Sequence, residues 1–253
     1  MMLHFDDIVF GPIKSRRLGS SLGVNLLPSK GKLCNFDCIY CECGWNKDGT
    51  QDHTLPEFEA VSRALTEKIE GLAVEGVKLD SITFSGNGEP TIHPDFPEIV
   101  DLVLSLRDRF YPSAKVSVLS NATMIGRERV REALKRIDNP ILKIDASNDR
   151  LISLINRPEG VYKLENVVEW LKDFNGDFIL QTMFLRSPEF DLAERDQLDA
   201  WMDIVRIVRP REIMVYTIDR ETPDSSLGKY TVSQMKEFVR PLEDEGFKIQ
   251  IRG

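Results

Sequence analysis

The chain has 253 residues, 42% of them hydrophobic and 29% charged, enough to build a sizeable core in one large α/β domain or two small ones. Its net charge of −8 argues against a large nucleic-acid footprint and leaves a local basic patch at Lys14, Arg16 and Arg17. No run approaches the roughly 18 apolar residues of a membrane-spanning helix, and the acidic opening MMLHFDDIVF lacks the basic start of a signal peptide, so a cytoplasmic location without a membrane partner is expected.

LGVNLL (22–27) is the first predicted strand, and the loop after it holds all four cysteines. A helix is expected next, with Phe58, Val61, Leu65, Ile69 and Leu72 three or four residues apart and a capping-box pattern at Thr54 and Glu57. Strands at SITFS (81–85), KVSVLS (115–120), ILKIDA (141–146), FILQTMFL (178–185) and EIMVYTI (212–218) then alternate with helices near 96–103, 130–137, 164–171, 201–208 and 232–238. FKIQIR (247–252) reads as a last edge strand. The strands are nearly continuous in apolar content, as strands covered on both faces should be. Six βα units predict an α/β domain with a parallel sheet, either an incomplete barrel or an open doubly wound sheet. In both architectures the chemistry gathers where strands end. Polar residues stand there: the cysteine loop, Gly86 to Pro90, Ser120 and Asn121, Asp145 and Ser147, and Asp219 and Arg220.

Cys34, Cys38 and Cys41 are spaced C-x3-C-x2-C, with Cys43 just beyond. In a reducing compartment, clustered thiols are soft metal ligands rather than disulfide partners. A structural zinc site would want a second cysteine pair elsewhere, which the chain lacks, and His53 is the nearest imidazole. Three thiolates suit three irons of a 4Fe–4S cluster, leaving one iron open, and the crowded Cys41-x-Cys43 step makes Cys43 a poor fourth ligand. The alternative is a zinc or iron–sulfur module that binds or senses without catalysis.

The spacing, with Tyr40 directly before the last ligand, resembles the signature of the radical S-adenosylmethionine (SAM) superfamily, and SGNGEPTIHP (85–94) resembles its glycine–glutamate–proline motif. The segments 10–44, 143–158 and 215–223 are similar to a branch related to wyosine-type tRNA synthases, most of whose members have no assigned substrate. The resemblance implies a partial (β/α)6 TIM-like barrel across residues 1–253, with a cluster loop at 34–43 and a segment 222–253 that completes or caps it. It implies a 4Fe–4S cluster on Cys34, Cys38 and Cys41, cleavage of SAM to a 5′-deoxyadenosyl radical, an unidentified substrate, and an electron donor such as flavodoxin or ferredoxin. No cysteine follows Cys43, so no auxiliary cluster is expected; tRNA-base modification is the other enzymatic reading. Tyr40, Gly86, Asn87, Gly88, Glu89, Pro90, Ser120, Asn121, Asp145 and Gln181 are the residues expected to contact SAM, the glycines by letting backbone approach the ligand.

Other candidates have two readings each. Lys143 and Asp145 share one strand face, where buried charges need partners; they hold SAM or substrate, or form a structural ion pair. Gln181 is an odd core residue, whereas Met183 on the same face reads as packing. Asn156 and Arg157 follow a short helix and reach toward the rim. Arg16, Arg17 and Ser20 close the cavity, bind an anionic substrate, or form a solvated turn. His53 and His93 are acid–base candidates or ordinary loop residues. Cys43 is a thiol neighbour of the cluster, a hydrogen-atom donor, or inert, and Trp45 shields the cluster from water.

Overall fold

A computed structural model describes residues 5–15, 18–48 and 53–253; Arg16 and Arg17 lie outside the described residues. The chain opens with an antiparallel hairpin of β1 (Val9–Ser15) and β2 (Gly19–Val24), bulged between Phe10 and Ile13. After the cysteine loop come α1 (Phe58–Val74), β3 (Ser81–Phe84), α2 (Phe96–Phe110), β4 (Lys115–Ser120), α3 (Glu128–Lys135), β5 (Asn139–Lys143), α4 (Asp149–Ile155) and α5 (Leu164–Lys172). β6 (Ile179–Met183), β7 (Leu185–Ser187), β8 (Phe190–Asp191), α6 (Arg195–Val208), β9 (Glu212–Tyr216), β10 (Gly228–Lys229), α7 (Val232–Asp244) and β11 (Ile249–Arg252) complete it.

One sheet runs β1-β2-β3-β4-β5-β6-β9-β11, and every pair from β2 to β11 is parallel. Parallel strands in unbroken chain order wind in one direction, whereas a doubly wound sheet reverses at a switch point. The architecture is therefore a partial TIM-like barrel. Among the described residues no ladder joins β1 to β11, so the barrel is open between them. β7, β8 and β10 form a separate small sheet.

The helices turn apolar stripes to the sheet: Val61, Leu65, Ile69 and Leu72 of α1 and Phe96, Ile99, Val100, Val103 and Leu106 of α2 are buried. Successive strand residues point to opposite faces, so the other face lines the barrel. There β2 to β5 carry a hydroxyl and amide ladder: Ser21 to Thr83 at 2.8 Å, Ser81 to Thr83 and to Ser117 at 3.0 Å, and Asn139 donating to Ser117 at 3.2 Å. Above it Ile141, Ile179 and Met214 form a small apolar layer. One step further along the strands, Lys143 pairs in register with Gln181 and Tyr216 with Arg252, which brings polar groups to the C-terminal rim.

Two expected local features differ. α1 begins at Phe58 with Glu57 as its cap residue and no side-chain cap, because Pro56 holds the preceding backbone extended. The capping box forms instead at Thr231 and Gln234 of α7. The first strand ends at Val24, so Asn25 begins the loop rather than sitting inside a strand. No helix among the described residues is long and apolar enough to cross a membrane.

Candidate functional site

The cysteine loop has little regular structure, and its backbone is held from three sides. Toward β3, Leu33 donates to the Asn87 carbonyl (2.9 Å) and accepts from Glu89 N (3.1 Å). Toward α4, Asp37 N reaches the Asn156 carbonyl and Ile39 N the Ile155 carbonyl, both at 2.9 Å. From below, Lys32, its side chain 1% exposed, donates to the Gly44 carbonyl (3.0 Å) and pairs with Asp37 (3.2 Å). Asn46 closes the loop on itself by donating to the Cys34 carbonyl at 2.9 Å.

The loop overhangs a cavity of about 210 Å³ lined by Cys34, Cys38, Cys41 and Cys43, the Ser85–Gly86 edge, Gly88, Ser120, Asn121, Lys143 and Gln181. A second cavity of about 370 Å³ shares Tyr40, Cys41, Leu119, Gln181 and Tyr216 with it and extends to Lys14, Asp219, Arg220 and Arg252. The second cavity therefore lies between the open edges of the barrel, β1 and β11.

Nitrogen donors face the sulfurs. Cys38 Sγ accepts from Lys143 Nζ (3.2 Å) and Asn156 Nδ2 (3.3 Å), and Cys34 Sγ from Phe36 N (3.4 Å) and Asn121 Nδ2 (3.6 Å). Burial pushes the Cys34 thiol up, reinforced by Glu89, and pushes Cys38 up against the pull of Lys143. Cys43 Sγ donates to the Gly86 carbonyl (3.6 Å), and its closeness to Cys41 lowers that thiol. Burial pulls the Lys32 and Lys143 ammonium groups down, but the neighbouring sulfurs, with Asp37 and Asp145 respectively, outweigh it and hold both above their usual range. All four cysteines are free thiols, and among the described residues no three Cys, His, Asp or Glu side chains are grouped for a single metal ion, the arrangement a zinc site needs.

The glycine segment has a packing role besides the one the sequence suggested. A Cβ on Gly88 would stand 1.9 Å from the Leu33 carbonyl oxygen, and one on Gly86 2.3 Å from Asn25 Oδ1. With φ of +136° and +154°, these glycines let the segment pack against the cysteine loop and the end of β2. Asn87 is fully buried and turns from the cavity, donating to the carbonyls of Phe5 (2.8 Å) and Pro28 (2.9 Å). Glu89, 2% exposed, accepts from Thr91, from Ser120 Oγ (2.9 Å) and from Asn121 N (2.6 Å), bolting the segment to the end of β4. Burial raises its carboxyl despite these bonds. Pro90 starts a short 3-10 turn and lines neither cavity. Of this segment, Gly86, Gly88 and Glu89 reach the cavity wall; the Asn87 and Pro90 side chains are placed where they cannot touch a ligand there.

Asp145 is also turned inward. Its side chain is 0% exposed and its carboxylate accepts from the Tyr40 hydroxyl, Asn156 Nδ2 (2.7 Å) and Met183 N (3.0 Å), with Lys143 Nζ at 3.4 Å. The expectation that Asp145 contacts SAM does not fit, because its side chain is fully buried, both its oxygens accept from protein, and it lines neither cavity. Lys143 does line the cavity, and Tyr40 lines both. Gln181 stands at their junction, 6% exposed; among the described residues its amide makes no hydrogen bond. Ser120 and Asn121 are present at the wall, Asn121 bridging Cys34 and Asn35.

Several candidates lie elsewhere. Ser20 donates to the Lys78 carbonyl (3.0 Å) within β2 and lines neither cavity. His93 is 2% exposed and shapes its loop, donating from Nε2 to the Pro56 carbonyl (2.8 Å) and accepting from Asp95 N at Nδ1 (3.1 Å). His53 is exposed. Arg157 stacks 4.7 Å from the Trp45 ring on the outside of the loop. Arg220 pairs with Glu42 (2.5 Å). Asn25 and Lys32, which brace the glycine segment and the cysteine loop, escaped the sequence reading; Asn25 would have been found as a strand-end polar residue had the strand been placed three residues earlier.

The radical SAM superfamily model matches residues 29–198. Among relatives, a protein named GTPase Obg from Brachyspira hyodysenteriae is 27% identical over 93% of this chain, and a UPF0026 protein from Helicobacter pylori is 30% identical over 84% of it. The chain spans 33% of the first and 67% of the second. Among solved structures, a radical SAM methyltransferase from Sphaerobacter thermophilus superposes with a TM-score of 0.67 at 13% identity, over 92% of this chain and 65% of the other. SuiB from Streptococcus suis bound to S-adenosylmethionine gives 0.64 at 14% identity, over 88% of this chain and 49% of SuiB. At such identities the structural matches speak for the fold alone. Since the family model spans well over half of the sequence and takes in the cysteine loop and the glycine segment alike, the chain belongs to the radical SAM superfamily of enzymes.

Proposed function

We propose that Cys34, Cys38 and Cys41 hold one 4Fe–4S cluster, that SAM occupies the cavity of about 210 Å³ beneath them, and that the substrate enters the cavity of about 370 Å³ beyond Gln181. The observation that carries this reading is the set of three thiols on one braced loop facing a cavity, with N–H donors at the sulfurs of Cys34 and Cys38. Such donors orient ligating sulfurs and support their charge. When bound and reduced, the cluster would supply one electron to SAM, whose C5′–S bond would open to give methionine and a 5′-deoxyadenosyl radical.

The protein's own residues position and shield. Gly86 and Gly88 expose backbone at the SAM cavity, Asn121 and Ser120 offer polar groups on one wall, and Gln181 offers a free amide where the cavities meet. The apolar layer of Ile141, Ile179 and Met214 closes the barrel below and keeps out stray molecules with weak C–H or S–H bonds that would quench a radical. Lys14 and Arg252 at the outer mouth have no acidic partner among the described residues, which favours an anionic substrate, and the reductant is a small electron carrier such as flavodoxin or ferredoxin. The test is anaerobic reconstitution followed by reduction in the presence of SAM. Formation of 5′-deoxyadenosine and methionine, lost in Cys38→Ala, is expected; iron-loaded protein that leaves SAM intact under strong reduction contradicts the reading.

A further inference from the structure

We propose that Lys143 and Asn156 set the reduction potential of the cluster by donating hydrogen bonds to the sulfur of one of its ligands. The inference rests on the reading that Cys38 ligates the cluster. Lys143 Nζ lies 3.2 Å and Asn156 Nδ2 3.3 Å from Cys38 Sγ, whereas the Cys34 sulfur receives neutral donors at 3.4 and 3.6 Å. Among the described residues Cys38 is therefore the sulfur that accepts a hydrogen bond from a cationic side chain, whereas Lys32 acts on Cys34 and Cys41 without one.

The charge is held there by construction. The Lys143 side chain is 11% exposed, its ammonium is 5.2 Å from the ring centroids of both Phe36 and Tyr40, and it donates to the Tyr40 hydroxyl at 2.9 Å. Little water reaches it, so its field is weakly screened. Asp145 balances the charge from the far side, and Asn156 bridges that carboxylate and the sulfur, so both donors are locked in place. Sequence separation hides the arrangement: Cys38 lies 105 residues from Lys143 and 118 from Asn156.

One-electron reduction of the cluster adds negative charge that is shared with the ligand sulfurs. A buried cation and an amide donor at one of those sulfurs stabilise the reduced state more than the oxidised one and raise the potential. Neither residue touches iron in this scheme; both are positioning residues acting through Cys38. The consequence is a cluster that a less strongly reducing carrier can reduce.

The test measures potential, not turnover. Wild type, Asn156→Leu, Lys143→Met and Lys143→Arg are reconstituted anaerobically, their iron is counted, and midpoint potentials are read from the EPR signal in a redox titration without SAM. The potential should fall in Asn156→Leu and fall further in Lys143→Met, which also leaves Asp145 unbalanced, while Lys143→Arg stays near wild type. If Lys143→Met assembles no cluster, Asn156→Leu decides alone. A wild-type potential in Asn156→Leu at full iron content overturns the proposal and leaves the cluster reading standing. Wild-type protein that takes up no iron overturns both.

Discussion

Gly88→Ala separates two explanations of the glycine segment. If the glycine served ligand approach, the variant would keep its cluster and lose only SAM. The structure predicts otherwise. The new Cβ would stand 1.9 Å from the Leu33 oxygen and 2.5 Å from its carbon, so Leu33 must retreat by about 1 Å or more before the contact is tolerable. The backbone at φ +136° adds strain of about 1–3 kcal/mol for any residue with a side chain. Overpacking against backbone adds about 1–3 kcal/mol, and the two hydrogen bonds that tie Leu33 to Asn87 and Glu89 contribute about 1 kcal/mol each. The total, about 4–8 kcal/mol, is comparable with the whole stability of a typical domain. The strain is relieved most easily by releasing Leu33, whose neighbour is Cys34, so the loop detaches before the sheet unfolds. Iron and sulfide per chain after anaerobic reconstitution, together with thermal unfolding, read this directly. Gly88→Ala should retain much less iron than wild type, while Gly71→Ala, in α1 with open space around it, should match wild type or gain about 0.5–1 kcal/mol. Full iron content in Gly88→Ala with SAM binding abolished would refute the argument.

Cys43→Ala should keep the cluster, since this thiol is turned to the Gly86 carbonyl (3.6 Å) and to Cys41, whereas Cys38→Ala should lose it; visible absorbance after reconstitution checks both. Glu89→Gln should lower Tm by about 4–8 °C, because one side of the amide must present N–H to the Asn121 N–H that now donates at 2.6 Å, a loss of about 2 kcal/mol. Gln181→Leu should leave stability within about 0.5 kcal/mol of wild type, as no protein hydrogen bond is lost, yet weaken SAM-dependent turnover about tenfold, the value of one ligand hydrogen bond; calorimetry and a 5′-deoxyadenosine assay separate the two effects. Burial pulls the Asp138 carboxyl up, but the Val116 amide, Arg107 and Lys115 outweigh it and hold it below the usual range. Its contribution is thus present above the unfolded aspartate pKa of about 3.9 and lost as pH falls through the lower folded value. Asp138→Asn should flatten the acid limb of a stability–pH curve, and an unchanged limb would contradict the assignment.

The parallel strands were legible because Val- and Ile-rich runs buried on both faces leave a plain mark, and their alternation with amphipathic helices named the class. The choice between barrel and doubly wound sheet was not legible, since both share that alternation and differ only in spatial strand order. No strand was expected at β1, whose Gly11 and Pro12 are residues that strands disfavour and that the hairpin absorbs in a bulge between Phe10 and Ile13. β7, β8 and β10, two or three residues long, carry no pattern to find. At the site, cysteine spacing identified the loop, and period-two alternation put Lys143 and Asp145 on one face. What spacing could not supply was their partners. Asp145 meets Tyr40 across 105 residues of sequence and is an internal brace, and Glu89 meets Asn121 across 32, bracing its segment while still lining the cavity.

The central claim is a cluster held by three thiolates with one iron left for SAM. Its most direct test is EPR-based hyperfine spectroscopy of the reduced, reconstituted protein with SAM carrying 15N at its amino group. Coupling of that nitrogen to the cluster, retained in Cys43→Ala, is the result the account predicts. A cluster signal that SAM leaves unchanged, or one that disappears when Cys43 is replaced, would mean four thiolates and no open iron.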